Sequence, residues 1–450
     1  MKIIKTILFA FLVVSGAQAA EKAADWKAGL ATEIITPTKP MWMSGYASRT
    51  KPAEGKVHDL WAKALCLEDG SGHRSLLITL DLVGIDRETA LGIRNRIAQK
   101  HKISLGAVTL ACSHTHSGPV VGNTLRAMYF LPKEQATLID EYTQILANRI
   151  EAVAAKAVAQ LVPAVLKQAI GLADFAVNRR NNKEADVPKL REEGKLVGPV
   201  DHDVPVLGVY DPAGGLKGIV FGYACHATVL PFYEWCGDYP GFAMAQLQER
   251  HPGAVALFWA GCGADQNPLP RRSVELAKSY GNRLADAVDG VLTKPMQPIT
   301  GTLKVVATEV LIPFAKVPSR EALLTMKASK DKFEVGRAEH LLAKLATEGS
   351  IKGEYPYPIS VWKLGDGPSW VWLGGEVVVD YSLRIKKEHP KANPWVAGYA
   401  NDVMAYIPSL RVLKKGGYEG ATSMVYYGQP SSWGPSVEEK IVNAVAGLLK

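Results

Sequence analysis

The stretch LLITLDLVGIDRETALGIRNRIAQKHKISLGAVTLACSHTH, residues 76–116, decides the fold class. Residues 76–83 form a short apolar run that reads as a strand, and 87–102 place apolar residues at helical spacing. Residues 107–112 (AVTLAC) are a second buried strand that stops at Ser113-His114-Thr115-His116. A strand, a helix and a strand in that order mark an α/β chain. Downstream, Leu138, Tyr142, Ile145, Leu146, Ile150 and Val153 recur at helical spacing from about residue 133 until Pro163 interrupts the pattern.

Further strands are expected at 163–171, 204–210, 218–224 and 254–260, then a helix at 273–292 and a strand at 302–313. The charged stretch 319–348 reads as a helical hairpin outside the sheet. Strands return at 370–373 and 395–400, a turn at Gly416-Gly417, and an amphipathic helix at 436–449. At about 150 residues per domain, a chain of 450 would hold three. No Ser/Gly/Pro-rich linker divides it, so the reading is one large α/β domain with mixed β-sheets flanked by helices.

Composition excludes several classes. Hydrophobic residues at 47% and charged residues at 21%, with no repeat period, describe a globular chain, neither fibrous nor disordered. The net charge of +8 is dispersed, its densest clusters being Arg179-Arg180, Arg271-Arg272 and Lys414-Lys415. That pattern gives no phosphate-tracking stripe, so no nucleic-acid partner is expected, only a mild attraction to anionic substrates or lipid surfaces.

Residues 1–19 read as a secretory signal peptide, with Lys2 and Lys5, an apolar stretch from Ile7 to Val14, and small residues before Ala20. The mature protein, 20–450, is then secreted or periplasmic. No segment has the roughly 18–20 apolar residues of a transmembrane span. The five cysteines, Cys66, Cys112, Cys225, Cys236 and Cys262, are too few for a disulfide scaffold and form no CxxC.

Candidate chemistry sits where strands stop at polar residues. His114 and His116 lie two apart in AVTLACSHTHSGP and would point the same way if the extended backbone continued. His226 ends the run GIVFGYACHAT, Glu376 follows a Gly-Gly kink in WVWLGGEVVVD, and Tyr406 and Tyr418 lie in YANDVMAYIPS and GGYEGA. Two imidazoles and a carboxylate suit Zn²⁺, which accepts nitrogen and oxygen ligands and keeps a position for water. A lone histidine at a strand end is more often a satisfied structural residue, which is why the combination matters. Asp81, Asp238 and Asp265 are either orienting carboxylates or loop caps. Trp61 and Trp259 read as core, and Arg271-Arg272 as a solvated helix start.

These residues resemble the neutral/alkaline ceramidases, secreted zinc amidohydrolases that cleave N-acylsphingosine. The likeness runs from Gly29-Leu30-Ala31, Ile35-Thr36-Pro37 and Gly45-Tyr46 through Trp61-Ala62, Asp81-Leu82 and SHTHSGP to Tyr418-Glu419-Gly420-Ala421. It implies a ceramidase-like catalytic domain with zinc ligands His114, His226, Glu376 and Tyr406. It also implies that His116 lies beside the metal, that Arg179 is the active-site arginine, and that Tyr418 binds the substrate carbonyl. The doublet Arg179-Arg180 leaves that register open by one.

Two departures stand out. The family's active-site serine is replaced by Asn267 in Ala264-Asp265-Gln266-Asn267-Pro268, and the chain ends without the family's C-terminal immunoglobulin-like domain. Asn267 orients substrate or shapes the turn before Pro268. The expectation is therefore a zinc hydrolase in which water on the metal attacks an N-acyl amide or related bond. The alternatives are a zinc hydrolase of carbohydrate or cell-wall-derived substrates, or a non-catalytic ligand-binding relative. Small-molecule, lipid and glycan substrates all stay open, as do disulfide pairing and oligomeric state.

Overall fold

The strand–helix–strand unit is present. Strands Arg74–Leu80 and Val108–Cys112 pair in parallel across the helix Arg87–His101. Asp86 caps that helix by accepting from the Thr89 backbone N–H, and Lys102 ends it in the left-handed region at φ 53°. The computed structural model describes residues 25–450, so the signal peptide expected at 1–19 lies outside the described residues.

Around this unit runs a nine-stranded sheet. Eight strands follow the spatial order Val255–Ala260, Leu216–Tyr223, Asp203–Tyr210, Val162–Leu172, Trp26–Ile34, Trp61–Asp69, Arg74–Leu80 and Val108–Cys112. The short strand Gln297–Ile299 pairs with Val162–Leu172. The sheet is antiparallel in the middle and parallel at both ends, where Leu216–Tyr223 also pairs with Val255–Ala260. A second sheet has the order Leu303–Pro313, Glu354–Leu364, Ser369–Leu373, Pro394–Ala397.

Side-chain alternation stacks these elements as helix, sheet, sheet, helix. In Trp61–Asp69, Ala62, Ala64 and Cys66 face a core shared with helices Lys133–Ala159, Asp238–Arg250 and Val274–Leu292. Leu65 and Leu67 point the other way, toward the second sheet. The layer between the sheets holds Trp26, Trp259, Trp362, Trp370, Trp372 and Trp395, all at most 2% exposed. Trp370 and Trp372 stack with ring centroids 4.5 Å apart. Each such indole removes about 150–250 Å² from water, about 4–6 kcal/mol of transfer free energy before entropy is counted. Helices Val379–Glu388 and Val437–Leu448 cover the second sheet's outer face.

Several sequence expectations are refined. The stretch 319–348 is two helices, Arg320–Lys327 and Lys332–Glu348, started by Ser319 and Asp331 caps. Trp259 is core, but Trp61 is partly exposed, with Lys63 Nζ 5.9 Å from its ring centroid. The strand expected at 395–400 stops at Ala397, because Tyr399 and Asn401 adopt φ of 55° and 64°. The kinked segment bridges Gly261 through Ala397 and Ala111 through Ala400. It thereby ties together the two parallel ends of the large sheet. All five cysteines are free and buried. Among the described residues no helix is long and apolar enough to cross a membrane.

Candidate metal centre

Three strand ends meet at this tie. His114 follows Val108–Cys112, His226 follows Leu216–Tyr223, and Glu376 follows Ser369–Leu373. The extended path expected through His114 does not continue, since its φ is 61°. The kink brings the two motif histidines together all the same, with Nε2 to Nε2 at 3.1 Å. Gly375, at φ 74°, turns the chain into Glu376, and a Cβ there would meet Ile407 Cγ1 at 2.6 Å. The short strand Glu376–Val377 pairs in parallel with Tyr406–Ile407, setting Tyr406 opposite Glu376.

Polar atoms then converge. Glu376 Oε2 lies 3.1 Å from His114 Nε2 and 3.2 Å from His226 Nε2. The Nδ1–H of His114 donates to the Val83 carbonyl at 2.6 Å, and that of His226 to the Gly263 carbonyl at 2.9 Å. Both rings therefore turn Nε2 toward the carboxylate. Glu376 Oε2 is buried and has no hydrogen-bond partner among the described residues. Two imidazole nitrogens around a buried carboxylate oxygen that lacks a donor make a set that a cation would satisfy, and the donor types fit Zn²⁺. The ligand nitrogens of His114, His116 and His226 lie within 4.8 Å of one another.

Protonation states agree. Burial, then the Arg179 charge, brings His226 down from 6.5 to about 4. Burial, then His114, holds His116 well below its ordinary value. Burial opposes the Glu376 charge, yet His114 and His226 keep its carboxyl well below the usual range. A neutral imidazole at His226 beside an ionised carboxylate at Glu376 gives the forms that ligate a metal.

The remaining expected residues surround this cluster. Tyr406 Oη lies 3.3 Å from His226 Nε2 and accepts from Arg179 Nη2 at 3.1 Å. Arg179 also donates from Nη1 to Asn267 Oδ1 at 3.2 Å and from Nε to Glu419 Oε1 at 2.7 Å. Within the doublet it is Arg179 that reaches Tyr406 and Asn267, while Arg180 binds Glu419 and the Gly416 carbonyl. Tyr418 packs edge-on to Tyr406 at 5.2 Å between centroids and is 44% exposed. Arg179, Asn267 and Tyr418 share a cavity of about 460 Å³ that forms the mouth.

Some assignments change. Asp81 accepts from the Trp61 N–H, Asp238 from the Leu230 and Tyr239 N–H groups, and Asp265 from Val379 N–H and Asn178. None of the three reaches a histidine, so they are loop caps; backbone carbonyls do the orienting. Arg271 and Arg272 are no free helix start, since both bind Glu184 and Arg271 lines the mouth. Tyr427, which donates to Glu376 Oε1, and Tyr399, whose ring lies 4.3 Å from that of His114, have no sequence motif to announce them. Glu419 stands inside the YEGA motif, which was its signal in the sequence, and the structure pairs it with two arginines.

Comparison with known proteins places this arrangement. The model for "Neutral/alkaline non-lysosomal ceramidase, N-terminal" matches residues 26–253, which include His114, His116, Arg179 and His226. No protein of curated function matches the sequence significantly. Among solved structures, neutral ceramidase from Pseudomonas aeruginosa is similar at TM-score 0.72 and 20% identity, over 95% of this chain and 74% of that one. A structure described as ceramidase complexed with C2 is similar at TM-score 0.72 and 19% identity, over 95% and 75% of the two chains. The match over half of its length, on a fold shared almost throughout, shows that this chain belongs to the neutral/alkaline non-lysosomal ceramidase family.

Proposed function

We propose that the protein is an exported zinc-dependent amidohydrolase acting on an N-acyl substrate, with residues 1–19 as leader and 20–450 as the catalytic unit. The observation that carries this is the convergence of His114 Nε2, His226 Nε2 and Glu376 Oε2. His114, His226, Glu376 and Tyr406 would hold the ion. Zinc bound there supplies Lewis acidity, polarising a carbonyl and lowering the pKa of water toward about 7.

The chain's own residues divide the remaining work. Arg179 and the Tyr418 hydroxyl donate to the oxygen that gains charge as the carbonyl becomes tetrahedral. Burial, then the Glu376 charge, raises the Tyr418 phenol, so it keeps its proton and can donate it. His116, neutral in the resting site, takes up a proton at Nε2 and passes it to the departing amine. Asn267 has its Oδ1 occupied by Arg179 and offers its NH₂ to the substrate. An amide is no nucleophile, so no acyl-enzyme forms at this position.

The test is elemental analysis paired with hydrolysis of N-acyl substrates, N-acylsphingosine among them. About one zinc per chain and release of fatty acid are expected. Full activity in zinc-free protein, or His226→Ala that keeps its metal, would overturn the reading.

A further inference from the structure

Two of the densest basic clusters of the sequence, Arg179-Arg180 and Arg271-Arg272, far apart along the chain, meet at one cavity beside the site, and the third, Lys414-Lys415, lies next to a residue that binds Arg180. Arg179, Arg180 and Arg271 line the cavity of about 460 Å³, and Arg272 shares Glu184 with Arg271. Lys414 and Lys415 close the helix whose following residue, Gly416, accepts from Arg180. Only two carboxylates, Glu184 and Glu419, stand against these charges in the lining.

Hydrogen-bond accounting sharpens the point. Both oxygens of Glu419 are taken by Arg179 and Arg180, and both oxygens of Glu184 by Arg271 and Arg272. Asn267 Oδ1 is taken by Arg179. Donors, by contrast, are left over. Arg180 Nε is buried without a partner, Arg271 spends Nε and Nη2 on Glu184 and keeps Nη1, and Asn267 keeps its NH₂. A cavity with spare guanidinium and amide donors, whose two carboxylates are each already paired with two arginines, fits a ligand made of acceptors, which is an oxyanion. Leu269 is the single aliphatic side chain of the lining, so the cavity offers no wall for a long hydrocarbon chain.

We infer that the mouth binds an oxyanion carried by the substrate, so that the preferred substrate is an N-acyl amine bearing a carboxylate or comparable acid group near the scissile amide. The inference rests on the amidohydrolase reading and narrows its substrate class. The charges line a concavity that reaches Asn267 and Tyr418, which favours a small anionic group over a flat anionic membrane.

The test compares N-lauroylglycine with N-lauroylethanolamine, which share an acyl chain and differ in charge. Zinc-loaded full-length protein is titrated by calorimetry and assayed for fatty-acid release. The glycine derivative is expected to bind and turn over at least about tenfold better at low salt, with the advantage shrinking as salt screens it. Arg271→Gln should cut that preference severalfold and Arg271→Lys should retain part of it, which separates charge from folding.

Equal or weaker binding of the anionic compound, or binding of neither, overturns the inference. Cleavage of both without preference does so while leaving the amidohydrolase reading intact. Anion-selective binding without cleavage of either has the opposite meaning: the anion site stands and hydrolysis falls. A third arm uses phosphatidylglycerol vesicles. If Arg271→Gln weakens vesicle binding and leaves the soluble preference unchanged, the cluster serves a membrane and the inference is overturned.

Discussion

Replacing Tyr427 with Phe removes one hydroxyl from the candidate metal centre and keeps the ring. That hydroxyl donates to Glu376 Oε1, while Oε2 faces the two histidine nitrogens with no donor of its own. The carboxylate, 3% exposed, therefore relies on Tyr427 for its protein hydrogen bond. A hydrogen bond to a charged group contributes about 1.5–3 kcal/mol, and each 1.36 kcal/mol is a factor of ten. Metal affinity should fall about 10- to 100-fold, the range seen when groups that orient ligands are removed.

The assay is zinc competition against a chelating indicator, together with the difference in melting temperature between metal-loaded and metal-free protein. That difference should shrink in Tyr427→Phe and persist in Tyr426→Phe, whose hydroxyl makes no bond to the cluster. Unchanged zinc affinity in Tyr427→Phe, or an equal loss in Tyr426→Phe, would refute the reasoning.

Three further outcomes are expected. Gly45→Ala places a Cβ 2.4 Å from His116 Nδ1 at a backbone φ of 99°, so it should displace the imidazole and lower kcat/KM at least about tenfold while zinc stays bound; elemental analysis showing zinc loss would instead make His116 a ligand. Asp402 is fully buried with one oxygen unpartnered, and burial raises its carboxyl to about 7. The folded state then holds a proton that the unfolded state releases above about pH 4, so this group's contribution falls as pH rises toward 7. The stability of Asp402→Asn relative to wild type should accordingly improve by about 2–3 kcal/mol between pH 5 and pH 7, read by urea unfolding. Trp370→Ala, at a site with 0% exposure, should cost about 3–5 kcal/mol in the same experiment, and Trp61→Ala at the partly exposed site markedly less.

Much of the fold was readable because its strongest signals are local. The unit around the helix Arg87–His101 and the long helices Lys133–Ala159 and Val274–Leu292 carry clear periodicity and recognisable ends. The strand Glu354–Leu364 does not, because Pro356 and Pro358 interrupt a run that pairs along its whole length with Leu303–Pro313. The helix Asp238–Arg250 was hidden too, since it opens on a left-handed aspartate with Pro240 two residues on. At the site, the strand-end residues His114, His226 and Glu376 were legible as candidates, whereas Tyr427 and Tyr399 and the pairings among distant residues were not. Tyr427 meets Glu376 across 51 positions and Arg179 meets Tyr406 across 227, separations at which no spacing rule operates. The sequence left Asp81, Asp238 and Asp265 open between orienting groups and caps, because a backbone carbonyl such as that of Gly263, which does the orienting, leaves no trace in residue identity.

The tryptophan layer between the two sheets carries an optical consequence. Six of the chain's ten indoles lie in this one seam, and the stacked pair Trp370 and Trp372 is close enough for their transitions to couple. Trp26 and Trp259 come from the large sheet and the other four from the small one. Separation of the sheets would therefore uncouple and hydrate these chromophores, even with the helices of each outer layer intact. The molecule thus contains a built-in spectroscopic gauge of sheet docking. An exciton couplet in circular dichroism and a red shift in emission would report the opening of the seam separately from the loss of helix.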